Sequence, residues 1–319
     1  MQRQWGRREF IKTMSGIAAT AAVSVARPGP VAAQQVKWSA GTAPAKLRAP
    51  ANAADCHHHI YDARYPADPK AALRPGDALV EDYRALQRRI GTLRHVIVQP
   101  STYGTDNRCT LDALAAFGAE ARAVAVVNDS VGDAELKRMD ALGVRGIRFN
   151  LAQAGATTAE MIEPLSRRVN ELGWHIQINA PTATIMSIMD ILGRVPSPIV
   201  FDHLAHVPQP AGINDPLFAR VRALIDKGKT WIKLSGAYQD TKIGPPTYAD
   251  SSAVARAYVK AAPERMVWGS DWPHPSEQQV KPDDAVLFDL LADWAPDEIV
   301  RHRILVQNAE TLYGFPKSA

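Results

Sequence analysis

The sequence predicts a single α/β domain folded as a (β/α)8 TIM barrel. Over about 260 residues, the usual size of such a barrel, eight short β-branched runs alternate with segments whose apolar residues recur at helical spacing. Most of these runs end in polar side chains. No glycine-rich phosphate turn follows the first run, although the alternative fold, a doubly wound open sheet, would require one.

The predicted strands are short and apolar, as expected for a parallel sheet covered by helices. Their bounds are 54–60, 95–99, 121–127, 144–149, 175–179, 199–203, 230–234 and 266–269. Amphipathic helices are predicted at 80–90, 133–142, 158–172, 216–227 and 252–262, and a last barrel helix and a helical tail at 282–293 and 296–313. Gly143 and Gly173 mark the ends of two of these helices.

These elements define a barrel domain at 53–316. A leader at 34–52, rich in Ala, Pro, Lys and Ser and without periodicity, is expected to lie along it. Only two cysteines occur, Cys56 and Cys109, so disulfides do not build the fold. Whether these two form a bridge is left open by the sequence.

The formal charge is concentrated at the start of the chain. Of the 37 basic and 33 acidic residues, the first 35 residues contain five and one, so the net charge of +4 lies there and the remainder is neutral. The absence of net charge over the rest of the chain argues against nucleic-acid binding. Arg7-Arg8 precedes a mild apolar run at 14–26 and the small residues Val31-Ala32-Ala33, similar to a twin-arginine export signal. We therefore expect a signal peptide at 1–33, export to the periplasm by the twin-arginine translocase, and no membrane anchor, because the run is too short to span a bilayer.

Three consecutive histidines in the first predicted strand form the densest cluster of reactive side chains in the sequence. Alternate residues of a strand share a face, so His57 and His59 project together, whereas Cys56 and His58 face the other layer. Two imidazoles at this spacing can hold a metal, polarise a carbonyl or share protons. A chance run of histidines is the alternative, and the pattern downstream favours function.

In such a barrel the reacting groups lie at the carboxyl ends of the strands. The polar residues there are His57, His59, Arg148, Asn150, Gln177, Asn179, Asp202, His203, Ser235, Ser270, Asp271 and His274. Any one of them could instead cap the following helix. Together they predict one shared pocket, which the loops carrying Tyr61, Ser101 and Tyr103 could also line.

Four ordered motifs resemble the amidohydrolase superfamily. They are Asp-Cys-His-His-His-Ile-Tyr-Asp at 55–62, Gly-Ile-Arg-Phe-Asn at 146–150, Phe-Asp-His-Leu at 201–204 and Trp-Gly-Ser-Asp-Trp-Pro-His-Pro at 268–275. The set is most similar to the lactonase branch, which includes 2-pyrone-4,6-dicarboxylate hydrolase, 4-sulfomuconolactone hydrolase and D-galactarolactone isomerase. The similarity extends over residues 38–315.

The resemblance implies a hydrolase that opens the ester bond of a small lactone bearing an acid group. It implies catalytic roles for His57, His59, His203 and Asp271, and contact between Arg148 and a substrate carboxylate. The other predicted substrate-binding residues are Gln177, Asn179, Tyr61, Ser101, Tyr103, Gln239 and His274.

The chain departs from the pattern of the pyrone dicarboxylate enzyme at three positions. Ala154 and Gln239 stand where that enzyme has further arginines, and Asn179 replaces an aromatic residue. The anion-binding set is therefore weaker than in that enzyme. This argues against the same dicarboxylate substrate.

Lactone hydrolysis needs a polarised carbonyl, a water that loses a proton and a donor to the leaving oxygen. We expect Asp271 to act as the base for water while His57, His59 and His203 polarise the carbonyl. Alternatively, one divalent metal such as zinc on His57, His59 and Asp271 polarises it. The sequence leaves both metal-dependent and metal-free catalysis open.

Two other functions stay open. One is lactone isomerisation, or more remotely decarboxylation, by the same superfamily fold. The other, from a different class, is a barrel that binds a small solute without turning it over. The sequence also leaves open which lactone is bound and whether the chain forms a homo-oligomer.

Overall fold

Eight parallel strands run in sequence order around a barrel, and helices between them cover its outer face. The structure is a computed structural model that describes residues 1, 35–152 and 155–318. The strands are β1 (Ala54–His58), β2 (Arg94–Val98), β3 (Ala121–Ala125), β4 (Val144–Asn150), β5 (His175–Asn179), β6 (Ile199–Phe201), β7 (Thr230–Leu234) and β8 (Met266–Trp268). Each pairs in parallel with the next, so the predicted (β/α)8 barrel is confirmed and an open doubly wound sheet is excluded.

The barrel closes between β1 and the segment that follows β8. His59 N donates to Trp272 O and Asp271 N donates to His57 O, both at 2.8 Å. His58 and Trp272 also form a parallel bridge. These bonds place the turn after β8 beside the carboxyl end of β1, so residues from opposite ends of the domain become neighbours.

Twelve α-helices lie within the described residues, most of them between strands. They are α1 (Val80–Ile90), α2 (Arg108–Phe117), α3 (Asp133–Leu142), α4 (Ile162–Asn170), α5 (Thr182–Ser187), α6 (Met189–Leu192), α7 (Pro216–Asp226), α8 (Ala237–Asp240), α9 (Ala249–Ala261), α10 (Asp284–Trp294), α11 (Glu298–His302) and α12 (Asn308–Tyr313). In α1, Tyr83, Leu86 and Ile90 are buried at helical spacing, while Glu81 and Asp82 occupy the first turn, where the helix dipole favours negative charge.

Two helix predictions agree with the structure at both ends. Helices α1 and α3 have the predicted bounds. The predicted helix at 158–172 is a 3-10 turn followed by α4, and the predicted tail at 296–313 is divided by a π-helical segment between α11 and α12. Helix α2 is absent from the predicted helices. The spacing of apolar residues indicates which face of a helix is buried. It does not indicate where the backbone changes from α-helical to 3-10 or π-helical hydrogen bonds.

Two strands that end earlier than predicted carry site residues. Strand β1 ends at His58 rather than at residue 60, because His59 N bonds to the segment after β8 instead of to β2. Strand β6 ends at Phe201 rather than at residue 203, because the chain enters a left-handed turn at His203–His206. In both cases the strand stops where a histidine turns into the barrel mouth.

Residues 35–52 lie along the barrel, and the first of them contact the turn after β8. Lys37 O accepts a hydrogen bond from Trp272 Nε1 at 2.8 Å, and Ala40 N donates to Pro282 O at 3.0 Å.

The predicted export signal at 1–33 lies, apart from Met1, outside the described residues. None of the described helices is long and apolar enough to cross a membrane. Cys56 and Cys109 are both buried free thiols, so they form no bridge in this structure.

Candidate active site

Two histidines of the first strand region point into the barrel at its carboxyl end. The Nε2 atoms of His57 and His59 are 3.3 Å apart, and the ring centroids are 4.9 Å apart. His59 Nδ1 lies 2.7 Å from Val98 O; because a carbonyl only accepts, we assign the proton to Nδ1 and a lone pair to Nε2. His58 faces the outer layer and stacks on Tyr83. The predicted alternation along β1 is confirmed.

His203 reaches the same cluster from the turn after β6. Its ring centroid is 4.7 Å from that of His57, and its Nδ1 is 3.0 Å from Ser235 Oγ. All four residues of this turn have φ between 46° and 59°, a conformation that costs about 1–2 kcal/mol for each non-glycine residue. A Cβ on Gly236 would lie 2.8 Å from His203 Nδ1, so only glycine there leaves room for the ring.

Asp271 completes the cluster from the turn after β8. Its Oδ1 is 3.5 Å from Nε2 of His57, 3.5 Å from Nε2 of His59 and 3.8 Å from Nε2 of His203. Burial alone would raise the pKa of Asp271, but the three histidines outweigh it and hold the pKa well below its usual range. Burial lowers the pKa of His203 to about 4 and that of His57 well below its usual value. At neutral pH an ionised carboxylate therefore faces the neutral rings of His57 and His203.

A glycine at the start of this turn allows the close approach of Asp271 to β1. A Cβ on Gly269 would lie 2.6 Å from the Cβ of His57 and 3.0 Å from its backbone nitrogen. Any larger side chain would push the two segments apart. The carboxylate and the histidine pair are thus held together by backbone packing as well as by hydrogen bonds.

Below the histidines lies a fully buried network of charged groups. Lys233 Nζ is 3.1 Å from His57 Nδ1 and 3.5 Å from Asp202 Oδ1, and it donates to Gln177 Oε1 at 2.7 Å. Asp202 Oδ2 accepts from Arg148 Nε and Gln177 Nε2, both at 3.0 Å. Burial lowers the pKa of Lys233 to about 8, with Asp202 opposing, so the ammonium persists at neutral pH. The network supports the ring of His57 from below.

Arg148 belongs to this network through one nitrogen only. Its Nε bonds to Asp202, and within the described part of the chain its terminal nitrogens make no hydrogen bond. A guanidinium is always charged and presents its donors in a planar fork. Arg148 therefore closes an internal salt bridge and still offers two nitrogens to an anionic ligand.

The cluster also fits a single divalent metal. The Nε2 atoms of His57 and His59 and Oδ1 of Asp271 form a triangle with edges of 3.3, 3.5 and 3.5 Å. Ligands about 2.0–2.1 Å from a tetrahedral zinc are separated by similar distances. His203 forms a second compatible group with His57 and Asp271. For His57 Nε2 to be a ligand its proton must lie on Nδ1. Oδ1 of Asp202, 3.2 Å away and without a hydrogen-bond partner among the described residues, could accept that proton.

The structure places some of the predicted substrate-binding residues at the barrel mouth. Asn179 donates to Asn150 Oδ1 at 3.0 Å and accepts from His206 Nε2 at 2.8 Å. Asn150 and Ser101 line one small cavity. The assignment of Asn179 and Ser101 to substrate binding stays a prediction. The position of Ala154, expected to correspond to a lost arginine, lies outside the described residues.

The remaining predicted residues contact other parts of the site. Gln239 Nε2 donates to Asp271 Oδ2 at 2.9 Å. Tyr61 and Tyr103 have ring centroids 6.3 Å apart, and Tyr103 OH bonds to the backbone of Asp62. Gln177 has both polar atoms engaged in the buried network, and His274 is buried behind Tyr238, so these two side chains support the site from outside the histidine cluster.

Sequence reasoning missed three residues that the structure brings to the site. The sequence contains an indication for Lys233, because it is the one charged residue in β7. The sequence contains no such indication for Tyr238, in the short helix α8, or for His206, at the end of the left-handed turn. Their roles depend on contacts between distant segments, which no local pattern records.

The sequence model of the amidohydrolase family matches residues 54–315, which include every member of the histidine–aspartate cluster. The chain belongs to the amidohydrolase family. The resemblance inferred from four short motifs is thereby confirmed.

This amidohydrolase is similar to enzymes that act on lactones. The 4-sulfomuconolactone hydrolase of Rhizobium radiobacter is 35% identical over 282 residues, covering 86% of this chain and 94% of the relative. The D-galactarolactone isomerase of Agrobacterium fabrum is 34% identical over 282 residues, covering 87% and 96%. A crystal structure of an Agrobacterium tumefaciens protein in its apo state superimposes with a TM-score of 0.80 at 33% identity, covering 86% of this chain and 100% of that one. The predicted lactonase branch is confirmed by these relatives.

Proposed function

We propose that this amidohydrolase hydrolyses the ester bond of a small lactone that carries an acid group. One observation carries the proposal: the ionised Oδ1 of Asp271 lies within 3.8 Å of the Nε2 atoms of His57, His59 and His203 at the end of the barrel where chemistry occurs. The buried carboxylate is a proton acceptor, and the Nε2 atoms of His57 and His203 can carry hydrogen-bond donors within reach of one carbonyl group.

In the proposed reaction, Asp271 Oδ1 accepts a proton from a water molecule whose oxygen attacks the lactone carbonyl carbon. The bond between this carbon and the ring oxygen then breaks, and the ring oxygen takes up the proton as it leaves. Lys233 donates to His57 Nδ1, which places the imidazole proton on Nε2, facing the carbonyl. The product is a hydroxy acid, which has the composition of the lactone plus one water molecule.

A divalent metal bound by His57, His59 and Asp271 would supply Lewis acidity to the same carbonyl. The proton of His57 would then lie on Nδ1, toward Asp202 Oδ1 at 3.2 Å, and Lys233 would keep its contacts with Gln177 and Asp202. Elemental analysis of the purified protein, followed by activity with and without a chelator, distinguishes metal-dependent from metal-free hydrolysis.

A panel of lactones tests the proposed reaction. It should pair lactones that bear a carboxylate or sulfonate with matched lactones that lack one, in water enriched in heavy oxygen. We expect NMR and mass spectrometry to show a ring-opened acid that has incorporated the label. Binding without turnover across the panel would contradict hydrolysis and favour a solute-binding barrel.

A second candidate reaction is isomerisation, favoured by the 34% identity to a lactone isomerase. The same carboxylate could move a proton while the ring ester migrates to another hydroxyl of the substrate. The label test separates the two reactions, because an isomerised lactone has an unchanged mass and contains no solvent oxygen.

Arg148 is proposed to bind the acid group of the lactone. We expect Arg148→Gln to raise KM for an acid-bearing lactone about 10- to 100-fold, because a charge-assisted hydrogen bond contributes about 1.5–3 kcal/mol. The KM for the matched uncharged lactone should change little. Arg145→Gln is the control, since Arg145 lies on the same strand but bonds to Asp140 away from the cluster. Equal effects of Arg148→Gln on both lactones would contradict the assignment.

We further propose that the enzyme acts in the periplasm after export by the twin-arginine translocase. The proposal is supported by Arg7-Arg8, the apolar run after them and the small residues before residue 34. Fractionation of cells that express the full chain tests it. Arg7→Lys together with Arg8→Lys should leave the protein in the cytoplasm.

A further inference from the structure

The second oxygen of Asp271 is held by its own set of donors. Tyr238 OH donates to Oδ2 at 2.5 Å, and Gln239 Nε2 donates to the same atom at 2.9 Å. Both donors come from helix α8, directly after β7. The two oxygens of Asp271 therefore have separate environments: Oδ1 faces the histidines, and Oδ2 faces α8.

A buried pair lies behind the tyrosine. His274 Nδ1 is 3.0 Å from Tyr238 OH, and His274 Nε2 is 3.1 Å from Asp284 Oδ2. His274 and Asp284 are both fully buried. Asp284 begins α10, and its backbone nitrogen donates to Ser39 Oγ at 3.1 Å, which ties the pair to the segment before the barrel.

The direction of these hydrogen bonds follows from the number of protons. A tyrosine hydroxyl has one proton, and the ionised Asp271 can only accept, so Tyr238 donates to Asp271 and accepts from His274. His274 Nδ1 must then carry a proton. His274 Nε2 lies 3.1 Å from Asp284 Oδ2, so Asp284 anchors the ring with Nδ1 toward Tyr238.

We infer that Tyr238 is a positioning residue for the carboxylate of Asp271, and that His274 and Asp284 fix the direction of its hydroxyl. Two donors on Oδ2 prevent rotation of the carboxylate and keep Oδ1 against the histidines and the attacking water. This inference rests on the proposed role of Asp271 as the base. Residues that orient a reacting group in this way act on the chemical step more than on substrate binding.

The test uses the full chain and an acid-bearing lactone that it turns over. Tyr238→Phe should lower kcat about 10- to 100-fold, the usual effect of losing an orienting partner, and leave KM nearly unchanged. Tyr258→Phe is the matched control, because the hydroxyl of Tyr258 is buried without a partner in the described structure. It should leave kcat unchanged.

Two variants of His274 test whether the histidine acts through Tyr238. His274→Asn keeps a donor near the position of Nδ1 and should retain more activity than His274→Leu. Combining His274→Leu with Tyr238→Phe should cost no more kcat than Tyr238→Phe alone, because both changes remove the same constraint. Additive losses would mean that His274 supports the fold independently and would overturn its part in the inference.

Wild-type kcat in Tyr238→Phe, with Asp271→Asn inactive, would overturn the inference while the proposed function stands. Full activity in Asp271→Asn would remove the proposed function itself. If Tyr238→Phe does not fold, as judged by circular dichroism, the comparison of His274→Asn with His274→Leu decides the question.

Discussion

Replacing Asp271 by asparagine is expected to lower kcat by about 10²- to 10⁴-fold, the range attributed to a positioned general base. The amide has the shape of the carboxylate, so its oxygen can still accept from Tyr238 and Gln239. It cannot take a proton from water. The variant should fold, because His57 and His203 are neutral at neutral pH and do not depend on the negative charge.

Turnover of an acid-bearing lactone and its binding should be measured separately for this variant. We expect ligand binding by calorimetry to persist, since Arg148 is unchanged. Asp293→Asn is a matched control, because Asp293 lies on the outer helix α10 and pairs with Arg256 at the surface. A turnover number within threefold of wild type in Asp271→Asn would contradict the proposed base.

Replacing Lys233 by methionine is expected to lower the free energy of unfolding by about 3–5 kcal/mol, the usual cost of breaking a buried ion pair. Methionine has a similar length but removes the charge, so the buried carboxylate of Asp202 loses its ammonium partner at 3.5 Å. Burial alone would raise the pKa of Asp202; His57, Lys233 and Arg148 hold it well below the usual value, and the loss of one cation weakens that effect. Activity should fall as well, because His57 Nδ1 loses its donor.

Urea denaturation of the variant provides the measurement, with Lys260→Met on the exposed face of α9 as control. The double variant with Lys233→Met and Asp202→Asn should recover part of the lost stability, because it no longer buries an uncompensated anion. It should not recover activity. An unfolding free energy of Lys233→Met equal to that of the wild type would show that the buried ammonium contributes nothing to the fold.

Several features of the fold could be predicted because they depend on neighbours in sequence. Apolar runs separated by amphipathic segments indicate a parallel barrel, and β5 and β7 have the predicted bounds. The ends of β1 and β6 could not be predicted. They are set by a hydrogen bond to Trp272 and by the left-handed turn at His203, and both involve segments far away in the chain.

The same division applies to the site. The sequence by itself determined the family, the barrel, and the candidate reacting residues His57, His59, His203 and Asp271, because in this fold the strand ends face one mouth. Only the tertiary structure decided which oxygen of Asp271 meets the histidines, which nitrogen of His59 carries the proton, and that Lys233 and Tyr238 support the cluster. The reason is physical: strand and helix periodicity are local, whereas the pairing of buried polar groups depends on distances of a few ångströms between residues that only folding brings together.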